Sequence, residues 1–269
     1  MSVDWLAVRG VVRKDLRAVR RSKSVVIPML AVPVLLMVIV PAGIGFAARS
    51  TESIGVDRIL DSVPGNLAEP ILSLPEREQL VVLINGYLLA PLFLIVPLMV
   101  SAVLAADAFA GEKERRTLES LLHSSINDRD LFIAKFLTAF LPAVTVSWVG
   151  FVCFAVVTNA IAWPVMHRVF VPTRLWMVMI VWVAPAVATL GLAVMVRVSA
   201  RTGTSQEANQ LGGAVILPLI FLAVGQSTGL LLVDWPVAIG VGAVIWLIAL
   251  FLLRGGVKRF TRDALVAQV

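Results

Sequence analysis

One cysteine, one tyrosine and two histidines stand in a chain of 269 residues, of which only 15% are charged. Each shortage excludes a class of chemistry. A lone Cys153 rules out an intrachain disulfide framework and a multi-cysteine metal site. His123 and His167 fall on opposite sides of the membrane in the layout derived below, so they cannot share a metal ion. The chain has no HExxH or CxxC segment and no GxxxxGK[ST] phosphate loop. It therefore lacks the usual devices for zinc hydrolysis, dithiol exchange and ATP binding.

What is present is apolar. Hydrophobic residues make up 59% of the chain and the mean hydropathy is +0.94, where a soluble domain has about 45–50% apolar and about 25% charged residues. That excess excludes a disordered tail, a basic nucleic-acid-binding domain and an ordinary cytosolic enzyme. The net charge of +6 and pI near 10.2 then read as basic cytoplasmic loops. The prediction is an all-α integral membrane protein, one domain over residues 1–269, with no length left for a soluble catalytic unit. Cys153, inside an apolar run, is expected to be a buried small side chain.

A helix needs about 20 apolar residues to cross a hydrocarbon core about 30 Å thick. Six runs qualify: 25–48, 80–109, 136–163, 175–198, 211–233 and 236–253. The fifth contains Gly212, Gly213, Pro218, Gly225, Gly229 and the polar pair Gln226–Ser227. It reads either as a span or as a shorter helix followed by a segment that dips into the membrane around 225–235 and returns. With six spans, one side carries only Arg49, Arg58, Arg77, Arg168 and Arg174, and the other carries the remaining 18 of 23 Lys and Arg residues. Basic loops stay in the cytoplasm, so both termini are expected inside, with 254–269 as a cytoplasmic tail.

Residues 1–24 are more than a charged tail. Trp5, Val8, Val12, Leu16 and Val19 recur at helical spacing, and Arg9, Arg13, Lys14, Arg17, Arg20 and Arg21 occupy the adjoining face. That pattern predicts a helix lying in the interface, its stripe in acyl chains and its cations at headgroups. A basic tail that merely enforces topology is the alternative. The outside loop from Arg49 to Gln79, broken by Pro64, Pro70 and Pro75, reads as a short cap over the external mouth.

Within the runs, polar residues are mild: Asn85, Thr138, Thr145, Ser147, Asn159 and Thr189. They are expected to make hydrogen bonds between helices. Asp107 and Asp234 lie near run ends, not midplanes. An ion-coupled secondary transporter or channel usually carries ionisable groups within its spans, and a membrane-embedded enzyme would need paired His, Asp or Glu on facing spans. Neither pattern is visible.

The densest information is the 110–135 loop. The second span runs on into charges of both signs, and Leu118, Leu121 and Leu122 then form a short apolar face beside Glu119. Such a helix suits docking in a groove of another protein; a solvated linker lying back on its own bundle is the alternative. The run Gly111-Glu112-Lys113-Glu114-Arg115-Arg116-Thr117-Leu118-Glu119-Ser120-Leu121-Leu122, with Lys135 opening the next span, resembles the signature of ABC type 2 transporter permeases, approximately G-E-[KR]-E-x-G-T-L-E-x-L-L. Arg116 stands where that family usually has Gly. Residues 13–28 resemble the family's elbow helix and entry to the first span, and Ser199-Ala200-Arg201-Thr202 through Glu207 its second cytoplasmic turn.

The resemblance implies a permease subunit of an ABC exporter in the cytoplasmic membrane. It would pair with a second permease copy, as a homodimer, and with two copies of a separate ATPase subunit. ATP and Mg would be bound there, with no cofactor in this chain. It further implies that Glu112, Glu114, Arg115, Thr117, Glu119 and Leu122 couple to the ATPase and that Arg201, Thr202 and Glu207 form a secondary contact. Trp5, Arg13 and Arg17 would anchor the elbow helix at membrane lipid.

Overall fold

A computed structural model describes residues 3–50, 69, 71–114, 126–199 and 234–257; no strand occurs among them. The first helix, α1, is Trp5–Arg21. The Asp4 carboxylate accepts the N–H groups of Leu6 and Ala7 at 3.0 and 3.1 Å, which satisfies two of the donors a helix start leaves free. Arg20 and Arg21 in the last turn suit the negative end of the helix dipole. Ser22, with ψ 99, interrupts the helix for a single residue before α2 begins.

The long helices follow. α2 runs as Lys23–Val34, Leu35–Ile39 and Val40–Ser50. α3 runs as Glu76–Val81, Val82–Leu88 and Leu89–Phe93, then Ile95–Glu114 after a break at Leu94. α4 is one helix, Asp128–Met166. α5 comprises Arg174–Val178, Met179–Val183 and Ala184–Ser199, and α6 is Trp235–Val257. Among the described residues five stretches are long and apolar enough to cross a membrane: Val25–Arg49, Glu76–Ala108, Asp128–Met166, Arg174–Ser199 and Trp235–Arg254. The expected run 211–233 lies outside the described residues. α4 starts well before its apolar run because polar residues build its first turns; Asp128 and Asp130 there complement the positive helix end.

Proline shapes three of the spans. Leu35–Ile39, Val82–Leu88 and Met179–Val183 are wound as wider π turns, and Pro41, Pro91 and Pro185 follow them closely. A proline cannot donate to the carbonyl four residues back and its ring collides with it. Those carbonyls belong to Met37, Tyr87 and Val181, each inside a widened turn. Hydrocarbon offers no water to loosened backbone groups, so neighbouring side chains must serve them. In α3 and α5 tryptophans bind other carbonyls of the widened turns. The indole N–H of Trp176 donates to the Asn85 carbonyl at 2.8 Å, Trp148 to Ile180 at 3.2 Å and Trp246 to Trp182 at 3.3 Å.

Helix directions follow from cross-contacts. Met37 lies beside Gly150, and Arg49 donates to the Ile161 carbonyl, so α2 and α4 run parallel. Trp176 meets Asn85 and Gly191 meets Ser101, so α5 runs with α3. Trp182 donates to the Ile239 carbonyl and Arg197 to that of Leu252, so α6 runs with α5 as well. Two consecutive described spans thus point the same way, and Ser199 and Asp234 stand at opposite ends of the bundle.

α3 and α5 form its centre, with 67% and 61% of their apolar windows buried, against 17–22% for α2, α4 and α6. Gly191 permits their approach: a Cβ there would lie 2.6 Å from Ser101 Oγ and 3.0 Å from the Leu98 carbonyl. The half of the core far from α1 is aromatic, with Trp176 edge-on to Phe93 and tilted against Phe151 and Phe154. The half near α1 is aliphatic, built from Val100, Leu104, Ala139, Leu192 and Met195. α4 turns Leu141, Trp148, Val152 and Val156 outward. Cys153 lies on that outer face and is exposed, which corrects the expectation of a buried thiol. An apolar run does not distinguish burial in protein from burial in lipid.

Candidate functional site

The polar chemistry of the described residues concentrates where α1 crosses the start of α4. Val8 and Val11 pack on Leu131 and Ala134, while Val19 enters the aliphatic core with Leu104 and Phe132. Asp15 reaches Lys135 from the same side of α1: Nζ donates to Oδ2 at 2.8 Å, with the lysine side chain only 2% exposed and the aspartate 12%. Near the start of α1, the Asp4 backbone N–H donates to Asp130 Oδ2 at 3.2 Å, and Asp130 is itself buried. Two polar ties and an apolar strip therefore fix α1 on the first turns of α4.

An ammonium held this deep loses its water shell, so its charge must be met by a close carboxylate. Asp15 supplies it. Lys14, at 3.8 Å from the other Asp15 oxygen and largely exposed, adds a solvent-screened contact of small worth. Arg9, Arg13, Arg17, Arg20 and Arg21 all point into the open. The stripe expected to lie wholly in acyl chains is thus divided. Val8 and Val19, joined by Val11, are buried within the protein; Val12 and Leu16 are half-buried and Trp5 is 64% exposed. A helical wheel shows which residues share a stripe, not which neighbour takes it.

At the other end of the bundle, Asn159 organises the α4–α5 turn. Its amide donates to the Val171 carbonyl at 2.7 Å, and its oxygen accepts the N–H groups of Phe170 and Val171. Arg168 pairs with Glu78 at 3.0 Å. The other mild polar residues mostly serve their own helices: Thr138, Thr145, Ser147 and Thr189 each donate to the carbonyl four residues back. The expected hydrogen bonds between helices are not what these groups make. Asn85 differs again, fully buried in the widened turn of α3, its side-chain amide without a hydrogen-bond partner.

Residues 60–236, about two-thirds of the chain, match the ABC-2 family transporter protein family. The chain belongs to that family. No curated protein matches it. As an ABC-2 transporter with several long apolar helices it is a multi-pass membrane protein, a transport subunit and not itself a catalyst.

The residues singled out for coupling in this ABC-2 transporter distribute unevenly. Glu112 and Glu114 lie on the last turn of α3, whose helix continues to Glu114. Arg115, Thr117, Glu119 and Leu122 fall outside the described residues, as do Arg201, Thr202 and Glu207. Trp5, Arg13 and Arg17 are exposed on α1. The structure adds Asp15 and Asp130, and gives Lys135 a partner. The sequence carried a signal for this set: a lysine at the mouth of an apolar run, and one aspartate among the arginines of the preceding amphipathic helix.

Proposed function

We propose that the chain is the membrane-spanning permease subunit of an ATP-binding cassette exporter in the cytoplasmic membrane. It has six spans with both termini cytoplasmic, pairs with a second permease copy, and works with two copies of an ATPase subunit that binds ATP and Mg. The single observation that carries this reading is the family match over residues 60–236. The parallel run of α5 and α6 supports the six-span layout, because Ser199 and Asp234 lie at opposite ends of the bundle. Segment 211–233 is apolar and of span length.

In this reading closure of the ATPase dimer pushes on the 110–135 segment, seated in its grooves through Glu112, Glu114, Arg115, Thr117, Glu119 and Leu122. Arg201, Thr202 and Glu207 make the secondary contact. Work on a bundle requires contacts that differ between two states, and the junction of α3, α4 and α1 is where such a push would enter. Trp5, Arg13 and Arg17 hold the elbow helix at the lipid surface. Outward movement follows from the likeness to exporters and from the short external loop.

The test is co-expression with an ATPase subunit, reconstitution, and a search for cargo that stimulates ATP hydrolysis. Glu112→Ala and Glu119→Lys should then leave the permease inserted and the ATPase bound but separate hydrolysis from transport. Normal transport by both variants at an unchanged ATP cost would sink the coupling role.

A further inference from the structure

We propose that the buried Asp15–Lys135 pair is the positioning element that makes α1 move with α4, so that a push on the 110–135 segment reaches α2 through α1. This rests on the coupling reading above. Three observations carry it. First, α1 is joined to α2 through one non-helical residue, Ser22, so its position sets where α2 begins. Second, Lys135 lies seven positions after Asp128, the first residue of α4. The pair therefore ties α1 to the first turns of the helix that leaves the coupling segment. Third, α2 and α4 are each only 22% buried, while α3 and α5 form the packed centre. The two helices joined by this route lie at the periphery of the bundle.

A charged pair is a poor choice if seating α1 is the only task. Val8, Val11 and Val19 already provide an apolar contact, and replacing a buried ion pair by apolar groups of similar size is commonly neutral or stabilising. What an ion pair adds is a single register, because a displaced α1 would carry the Asp15 carboxylate away from the 2.8 Å contact it makes with Lys135. Asp130, taking the Asp4 N–H, marks the second point of the same register.

The experiment uses the complex with its ATPase in lipid nanodiscs, carrying Cys153→Ala and spin labels on cysteines at Lys23 and Arg254. Both positions are exposed, on α2 and α6. In the parent complex the label distance should shift on trapping with ATP and vanadate. Asp15→Asn and Lys135→Met should each abolish the shift while ATP hydrolysis and complex assembly persist. The exchange Asp15→Lys with Lys135→Asp should restore it, which a merely packing role would not. A shift retained in the single variants, or lost and not restored by the exchange, overturns the proposal. No shift in the parent complex overturns the coupling reading itself. A second label pair, at Arg13 and Arg129 in the permease without ATPase, should give a sharp distance that broadens in either single variant. An unchanged distribution there counts against the pair as the tie between α1 and α4.

Discussion

At the scale of single residues, close approach and buried polarity decide what can change. Gly191 sits where a methyl group would meet Ser101 and the Leu98 carbonyl, whereas nothing lies within 4 Å of a methyl placed at Gly43. Gly191→Ala should cost about 1–3 kcal/mol through overpacking, and Gly43→Ala should stay within about 0.5 kcal/mol. Thermal unfolding in detergent separates the two. Asn85 offers the opposite case. An unsatisfied buried amide costs about 1–3 kcal/mol, so Asn85→Leu should raise the unfolding temperature. A fall instead would mean that the amide is satisfied in the membrane. Neither residue announces itself in the sequence, because a glycine and an asparagine within apolar runs look alike whether they face lipid, a neighbouring helix or nothing.

Elements were legible to the extent that length and composition govern them. Apolar runs locate α2 to α6 because a lipid-crossing helix must be long and uncharged. Their ends moved where polar residues continue the helix, as at Asp128 and Glu114. The widened turns could have been read from Pro41, Pro91 and Pro185, since the missing donor is a property of the residue itself. The partner of α1 could not, because the stripe of Trp5, Val8, Val12, Leu16 and Val19 fits acyl chains and a helix flank equally well. The structure now separates its members. Val8→Asp puts a carboxylate between α1 and α4 and should loosen α1 markedly, seen as faster hydrogen exchange over residues 5–21. Lys14→Ala, at an exposed site, should leave exchange unchanged. Equal effects would mean that α1 is not seated on α4 in solution.

For the molecule as a whole, the proposed orientation rests on the asymmetry of basic residues. Eighteen of 23 lysines and arginines fall on one side of the six-span layout. In a Cys153→Ala background, cysteines placed at Ser124 and Gln268 should react with an impermeant maleimide only from the cytoplasm, and one at Ser62 only from outside. Labelling of Ser62 from within would invert the layout. The candidate site was half legible at this scale. The charged segment after α3 stands out because charges beside a span are rare, but the Asp15–Lys135 tie joins residues 120 positions apart. Only the folded bundle brings them together.

The placement of the prolines bears on how the bundle is built. A bend enforced by a missing N–H belongs to the helix itself, so α2, α3 and α5 carry it from the moment each enters the bilayer, before any neighbour arrives. The indoles of Trp148, Trp176 and Trp246 can reach carbonyls in the widened turns of α3 and α5 only once helices have come together. Insertion thus delivers rods already curved, and association fastens them. An alanine at Pro185 would deliver a straighter α5, which its partners would then have to bend, so the defect should show first in the yield of assembled protein and only later in the behaviour of what does assemble.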